Sequence, residues 1–206
     1  SHCVFFNNRA SYGGAVWAAL AHPTLFFSFV IFDTNTASIE AGGVYLYTGT
    51  FQGEWNTFKY NSAGTIGGGL CIHQGSIGST STDSTFIKNT AGHRGGGILI
   101  HGTSSDPTQV TLTRVRLIEN KQIDGAATSH WGSKGGGGLY LSWKATANIR
   151  ECTFIRNEAI TLQDSEKHGH QIMTNEGDGI PSIVIVNTNF TDLAGDHPFY
   201  GCVWDG

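Results

Sequence analysis

The stretch Phe86-Ile87-Lys88-Asn89-Thr90-Ala91-Gly92-His93-Arg94-Gly95-Gly96-Gly97-Ile98-Leu99-Ile100-His101 decides how this chain folds. It opens on an aromatic residue, places an Asn three positions later, gathers glycines after a short gap and ends in a short apolar run. The same order of features recurs on both sides of it. Phe5-Phe6-Asn7-Asn8-Arg9-Ala10 precedes Gly13-Gly14-Ala15, Phe32-Asp33-Thr34-Asn35-Thr36-Ala37 precedes Gly42-Gly43-Val44, and Phe58-Lys59-Tyr60-Asn61-Ser62-Ala63 precedes Gly67-Gly68-Gly69. Leu117-Ile118-Glu119-Asn120 precedes Gly135 to Gly138 after an insertion. Phe154-Ile155-Arg156-Asn157-Glu158-Ala159 is followed by His168-Gly169-His170 where the glycines should be, and Phe190 keeps only the aromatic.

Successive lead residues are 27, 26, 28, 31, 37 and 36 positions apart, which is the spacing of a solenoid coil. The residues after each glycine cluster read with a period of two, as in a strand. A helical repeat would tolerate this glycine load poorly, at roughly 1 kcal/mol per interior Gly relative to Ala. One strand cannot bury its own face, whereas strands of successive coils stacked about 4.8 Å apart share a continuous core. The expected fold is therefore all-β, a parallel β-helix of six to seven coils, right-handed because parallel crossovers almost always are. Phe5, Phe32, Phe58, Phe86 and Phe154 should form an inward ladder. Asn8, Asn35, Asn61, Asn89, Asn120 and Asn157 should close one corner, where a side-chain amide can bond backbone groups that the bend leaves unpaired.

The pairing of Phe-x-x-Asn with Gly-Gly-Ala/Val/Gly resembles the repeat of the chlamydial polymorphic outer-membrane protein family and of related right-handed parallel β-helix proteins, over about residues 3 to 173. The resemblance implies an extracellular or cell-surface solenoid, adhesin-like or structural, and supplies no catalytic residues. The insertions at 121–134 and 160–168 depart from the pattern.

Composition narrows the function classes. The chain has 206 residues, of which 29 are Gly, and its charged fraction of 14% is low against the ~25% of ordinary domains. A net charge of −4 without basic runs argues against nucleic acid as a partner, since phosphate binding needs clustered Lys and Arg. The apolar run 15–32 is interrupted by His22, Pro23, Thr24 and Ser28, so it reads as two strands around a Pro turn and not as a membrane span. The whole chain is expected to be one β-helix domain with a tail at 191–206, an excerpt of a longer solenoid whose open ends pair with other subunits or copies of itself.

Aligning the coils on their glycines puts Val16, Tyr45, Leu70, Ile98, Leu139 and Ile172 in an inward column. The column beside it should face outward, and reads Trp17, Leu46, Cys71, Leu99, Tyr140 and Met173. Such an apolar stripe would serve as an intermolecular contact. His73 and His101 fall one coil apart in the next outward column. The insertions leave the helix at the same corner of adjacent coils, which makes His130, Trp131, Trp143, His168 and His170 the candidate ligand-binding group, with a glycan as its candidate ligand. Cys202 could fold back to pair with Cys152. The acidic residues are scattered, so the paired carboxylates of a polysaccharide hydrolase or lyase are missing. No residue is assigned to catalysis or to a metal, and no cofactor is expected. A non-catalytic surface scaffold is the reading that follows, with a carbohydrate-active enzyme or a glycan-binding module as its alternatives.

Overall fold

The computed structural model describes residues 2–19, 22–103, 105–123, 135–160, 171–175, 181–191 and 199–200. Their strands form four sheets of seven, six, seven and six strands, and every pairing is parallel. Each sheet takes one strand from each coil, so the chain is a parallel β-helix. A complete coil runs through the four sheets in turn, as in Thr57–Lys59, Ser62–Ala63, Leu70–Ile72 and Ser79–Thr82. The apolar run 15–32 supplies three strands, Val16–Ala18, Thr24–Ser28 and Val30–Asp33, one more than its single proline suggests. Among the described residues no helix is long and apolar enough to cross a membrane.

In the first sheet Phe5, Phe32, Phe58, Phe86, Leu117, Phe154 and Phe190 are register partners in succession. Their rings stack nearly parallel, with centroids 4.4 Å apart for Phe32 and Phe58 and 4.5 Å for Phe58 and Phe86. Leu117 interrupts the stack without opening the core, and it is fully buried like its neighbours.

The Asn column lies at the corner between the first and second sheets, where its members from Asn35 onward are fully buried. Each Nδ2 donates to the lead carbonyl of the preceding coil, Asn61 to Phe32 at 2.9 Å and Asn89 to Phe58 at 2.9 Å. Each Oδ1 accepts both the backbone N–H and the Nδ2 of the Asn one coil earlier, as Asn89 does from Asn61 at 3.0 and 2.9 Å. The Phe-x-x-Asn spacing thus joins the aromatic ladder to the amide ladder through one carbonyl. The left-handed conformation that the corner requires falls on the residue before the Asn, with φ between 47° and 57° at Asn7, Thr34, Tyr60, Lys88, Glu119 and Arg156. Gln171 ends the ladder by accepting from Asn157 at 2.7 Å. Replacing Asn61 by Ala strands the Phe32 carbonyl and the Asn35 N–H in the core, so urea denaturation should show a loss of about 1–3 kcal/mol; an unchanged midpoint would contradict this account of the corner.

Outside the same corner, charged side chains alternate in sign along the axis. Lys59 pairs with Asp33 at 3.0 Å, Lys88 with Glu119 at 3.4 Å and Lys121 with Glu158 at 2.9 Å. At the other end of the first sheet, the corner that joins the fourth sheet to it, the Arg114 guanidinium grips Asp83 and holds its carboxyl below the usual range. Such exposed pairs are each worth little, but they keep like charges from facing each other on adjacent coils.

Cys152 sits at the corner before the lead residue as a free thiol, with its Sγ within hydrogen-bond distance of the Leu112 and Arg150 carbonyls. Its expected partner Cys202 lies outside the described residues.

Candidate functional site

The site is a groove of about 730 Å³ on the outer face of the third sheet. The glycine cluster creates this face. Its first position is left-handed, at Gly13, Ala41, Gly67, Gly95 and Gly136, with φ between 55° and 66°. Gly135 and the residues just before the other turns, Glu40, Ile66 and Arg94, form their own parallel row. Ile66 packs against the outer side chains of the sheet, and the Arg94 guanidinium lies 5.4 Å from the centre of the Tyr140 ring. This row is one wall of the groove. The opposite wall carries Tyr47, His73, His101 and Trp143, contributed by four successive coils.

The register corrects the sequence alignment by one residue in the second coil. Val44 is the register partner of Val16 and Leu70, and Tyr45 that of Trp17 and Cys71, so Tyr45 faces outward and Leu46 belongs to the inner core. The cause is Ala41, which takes the left-handed position that glycine holds in the other coils; the three-residue cluster is Ala41-Gly42-Gly43 and not Gly42-Gly43-Val44. The expected exposed stripe is also corrected. Cys71, Leu99, Tyr140 and Met173 are buried in a second cluster with Ala41 and Tyr45, and Trp17 is the one member of the stripe left open, 59% exposed. Strand alternation points these side chains outward but does not say what lies beyond them. The stripe therefore offers no lateral contact surface at those four positions.

Of the candidate ligand-binding residues, Trp143 lines the groove, while His130, Trp131, His168 and His170 lie outside the described residues, as do most of the two insertions. The residues that sequence reading missed are Tyr12, Tyr45 and Tyr47. Once the register is corrected, their signal is plain, because Tyr45 and Tyr47 fall in the columns of Trp17 and His73.

The wall of Tyr47, His73, His101 and Trp143 is aromatic and uncharged at neutral pH, while the facing row brings the Arg94 guanidinium and the Glu40 carboxyl to the groove. Tyr47 stacks on His73 at 5.3 Å, His73 meets His101 at 4.3 Å with the rings tilted by 34°, and His101 meets Trp143 at 5.4 Å. Burial, with the neighbouring His101, pushes His73 down to about 3; burial, with the Arg94 charge, pushes His101 down to about 4. The Nδ1 of His101 lies 2.6 Å from the Ser142 hydroxyl. Burial raises the Glu40 carboxyl, and its hydrogen bond with Tyr45 offsets part of that. Two adjacent imidazoles could share a ligand, yet among the described residues no three His, Cys, Asp or Glu side chains are grouped to hold a metal ion.

The two histidines carry a pH signature. Below pH ~6.5 the unfolded chain takes up protons that the folded imidazoles refuse, so stability falls as pH drops from ~6.5 towards 4. Between pH 7 and 4.5 the melting temperature of a His73→Gln/His101→Gln double variant should fall less than that of the parent; equal losses would contradict the neutral assignment.

The family model of the Chlamydia polymorphic membrane protein repeat matches residues 2–19 and 83–101. Each stretch holds a lead Phe, the corner Asn, the glycine cluster and a third-sheet strand. No curated protein and no solved structure matches the chain. Taken with the stacked parallel sheets, the match makes this chain a parallel β-helix with two stretches similar to the repeat of a membrane-protein family, which supports a surface location coarsely.

Proposed function

We propose that the chain is a non-catalytic, adhesin-like part of a surface protein, and that the groove on its third sheet is its contact surface. The observation that carries this reading is the groove itself, lined by aromatic rings from successive coils. Its chemistry favours binding over turnover. Glu40 is the one carboxylate among the described residues that line it, whereas glycoside hydrolysis ordinarily needs two carboxyl groups about 5–10 Å apart. The partners are extracellular: a host or neighbouring-cell surface, or other subunits of the same surface layer. The rim of the groove, with Trp17, Tyr12 and Tyr47 exposed by 59, 41 and 37%, replaces the buried stripe as the place where a partner docks.

Beads coated with the folded chain should adhere saturably to epithelial cells, and soluble chain should compete. Heat-unfolded chain should do neither. Adhesion that is equal for folded and unfolded chain, or absent from both, would overturn the reading.

A further inference from the structure

We propose that the groove binds a linear oligosaccharide, laid along the solenoid axis with about one pyranose ring to each coil. The proposal rests on the reading of the groove as the contact surface, and adds the chemical class of what enters it.

Three features point to a sugar chain. The first is repetition. The groove runs from Trp17 in the first coil to Trp143 in the fifth, four coil steps or ~19 Å at ~4.8 Å each. One step is close to the length of a pyranose unit in an extended chain, so a row of side chains that repeats by coil meets a ligand that repeats by residue.

The second is the kind of surface. Aromatic rings offer flat apolar area at small entropic cost, and pyranoses present flat faces of C–H groups that rest on such rings. Trp17 is open to solvent and Tyr12 stands beside Tyr45, with centroids 5.8 Å apart. Trp143 terminates the opposite wall.

The third is polarity without charge on the wall that faces the Glu40 and Arg94 row. His73 and His101 are neutral at physiological pH, so the Nε2 of each acts as an uncharged donor or acceptor, the His101 Nδ1 being engaged with the Ser142 hydroxyl and the His73 Nδ1 buried. Gln74 and Thr103 add amide and hydroxyl groups on the same wall. Hydroxyl-rich ligands exchange hydrogen bonds with groups of this kind, and the cavity volume lies within the usual range of ~300–1,000 Å³ for binding sites. An aliphatic peptide or acyl chain would leave these polar groups unpaired on desolvation, at a cost in affinity.

The test screens the folded chain on a broad printed glycan array and titrates the best linear tetrasaccharide by calorimetry and tryptophan fluorescence. The expected result is saturable binding with a fluorescence change, at least tenfold weaker binding in both Trp17→Ala and Trp143→Ala, and much weaker binding of the corresponding monosaccharide. Trp55→Ala removes an exposed ring outside the groove and should leave affinity unchanged. Circular dichroism melts identify any variant that has lost its fold, and His101→Phe then tests the same wall with a ring retained but its nitrogens removed. No binding on the array, binding unaffected by Trp17→Ala, or tight binding of an aliphatic peptide in place of sugars would overturn the proposal. If the array is negative while beads still adhere to cells, and the Trp17→Ala chain does not adhere, the glycan assignment fails and the contact-surface reading stands.

Discussion

Replacing Phe58 by alanine is expected to lower the unfolding free energy by about 4 kcal/mol, within the ~3–5 kcal/mol found for large-to-small changes at buried aromatics. Its side chain is fully buried in the middle of the ladder and stacked on both sides, by Phe32 and by Phe86. Neither neighbour can close the gap, because each is fixed by the register of its own strand. Phe58→Leu should cost only about 1 kcal/mol, since a change that nearly conserves volume is tolerated and Leu117 already fills the same column two coils on. Equal losses for the two variants in urea denaturation would show that this column is not a packed ladder.

Gly68→Ala is expected to cost about 3 kcal/mol, the upper end of the range for overpacking. A Cβ at Gly68 would meet the Gly96 carbonyl oxygen of the next coil at 2.2 Å and the Thr90 oxygen at 2.4 Å, and both are backbone atoms that cannot rotate away. Gly67→Ala is the instructive comparison. That residue has φ of 65°, a conformation that costs a residue with a side chain about 1–2 kcal/mol, yet Ala41 occupies the same place in the preceding coil at φ of 56°. Gly68→Ala should therefore be the more damaging of the two in thermal melts. The reverse order would mean that torsional freedom, and not close approach of the coils, is what the second glycine supplies.

Those two glycines show how far the sequence could be read. A parallel solenoid was legible because Phe-x-x-Asn and the glycine cluster recur in order, and each does one physical job per coil. The Asn column could be assigned to a corner from its chemistry, but nothing in the varied residues before it (Asn7, Thr34, Tyr60, Lys88, Glu119, Arg156) marks them as the left-handed ones. The register of the second coil could not be read, because Ala41 breaks the glycine pattern without breaking the backbone conformation. That single residue exchanged Tyr45 for Leu46 and hid Tyr47 from the column of His73 and His101. The burial of Cys71, Leu99, Tyr140 and Met173 was illegible for another reason: the row through Glu40, Ile66 and Arg94 that flanks them has no motif of its own, only a position before each turn. The groove between that row and the facing rings is a consequence of three-dimensional register, and Trp143, the one candidate ligand residue among the described residues, lines it.

The claim on which the ladders, the groove and its ligand all rest is that successive coils stack in register, and a cross-linking experiment tests it directly. Thr57 and Thr85 are register partners on adjacent coils of the first sheet, and Arg116 follows Thr85 one coil further on. Adjacent partners lie ~4.8 Å apart and partners two coils apart ~9.6 Å, on either side of the ~4.4–6.8 Å Cα separation that a disulfide spans. In a background with Cys3 and Cys202 replaced by Ser, the Thr57→Cys/Thr85→Cys protein should form an internal disulfide on mild oxidation, seen as a loss of two free thiols in the intact mass. Thr57→Cys/Arg116→Cys should keep both thiols free. A disulfide in the second protein, or none in the first, would contradict the register.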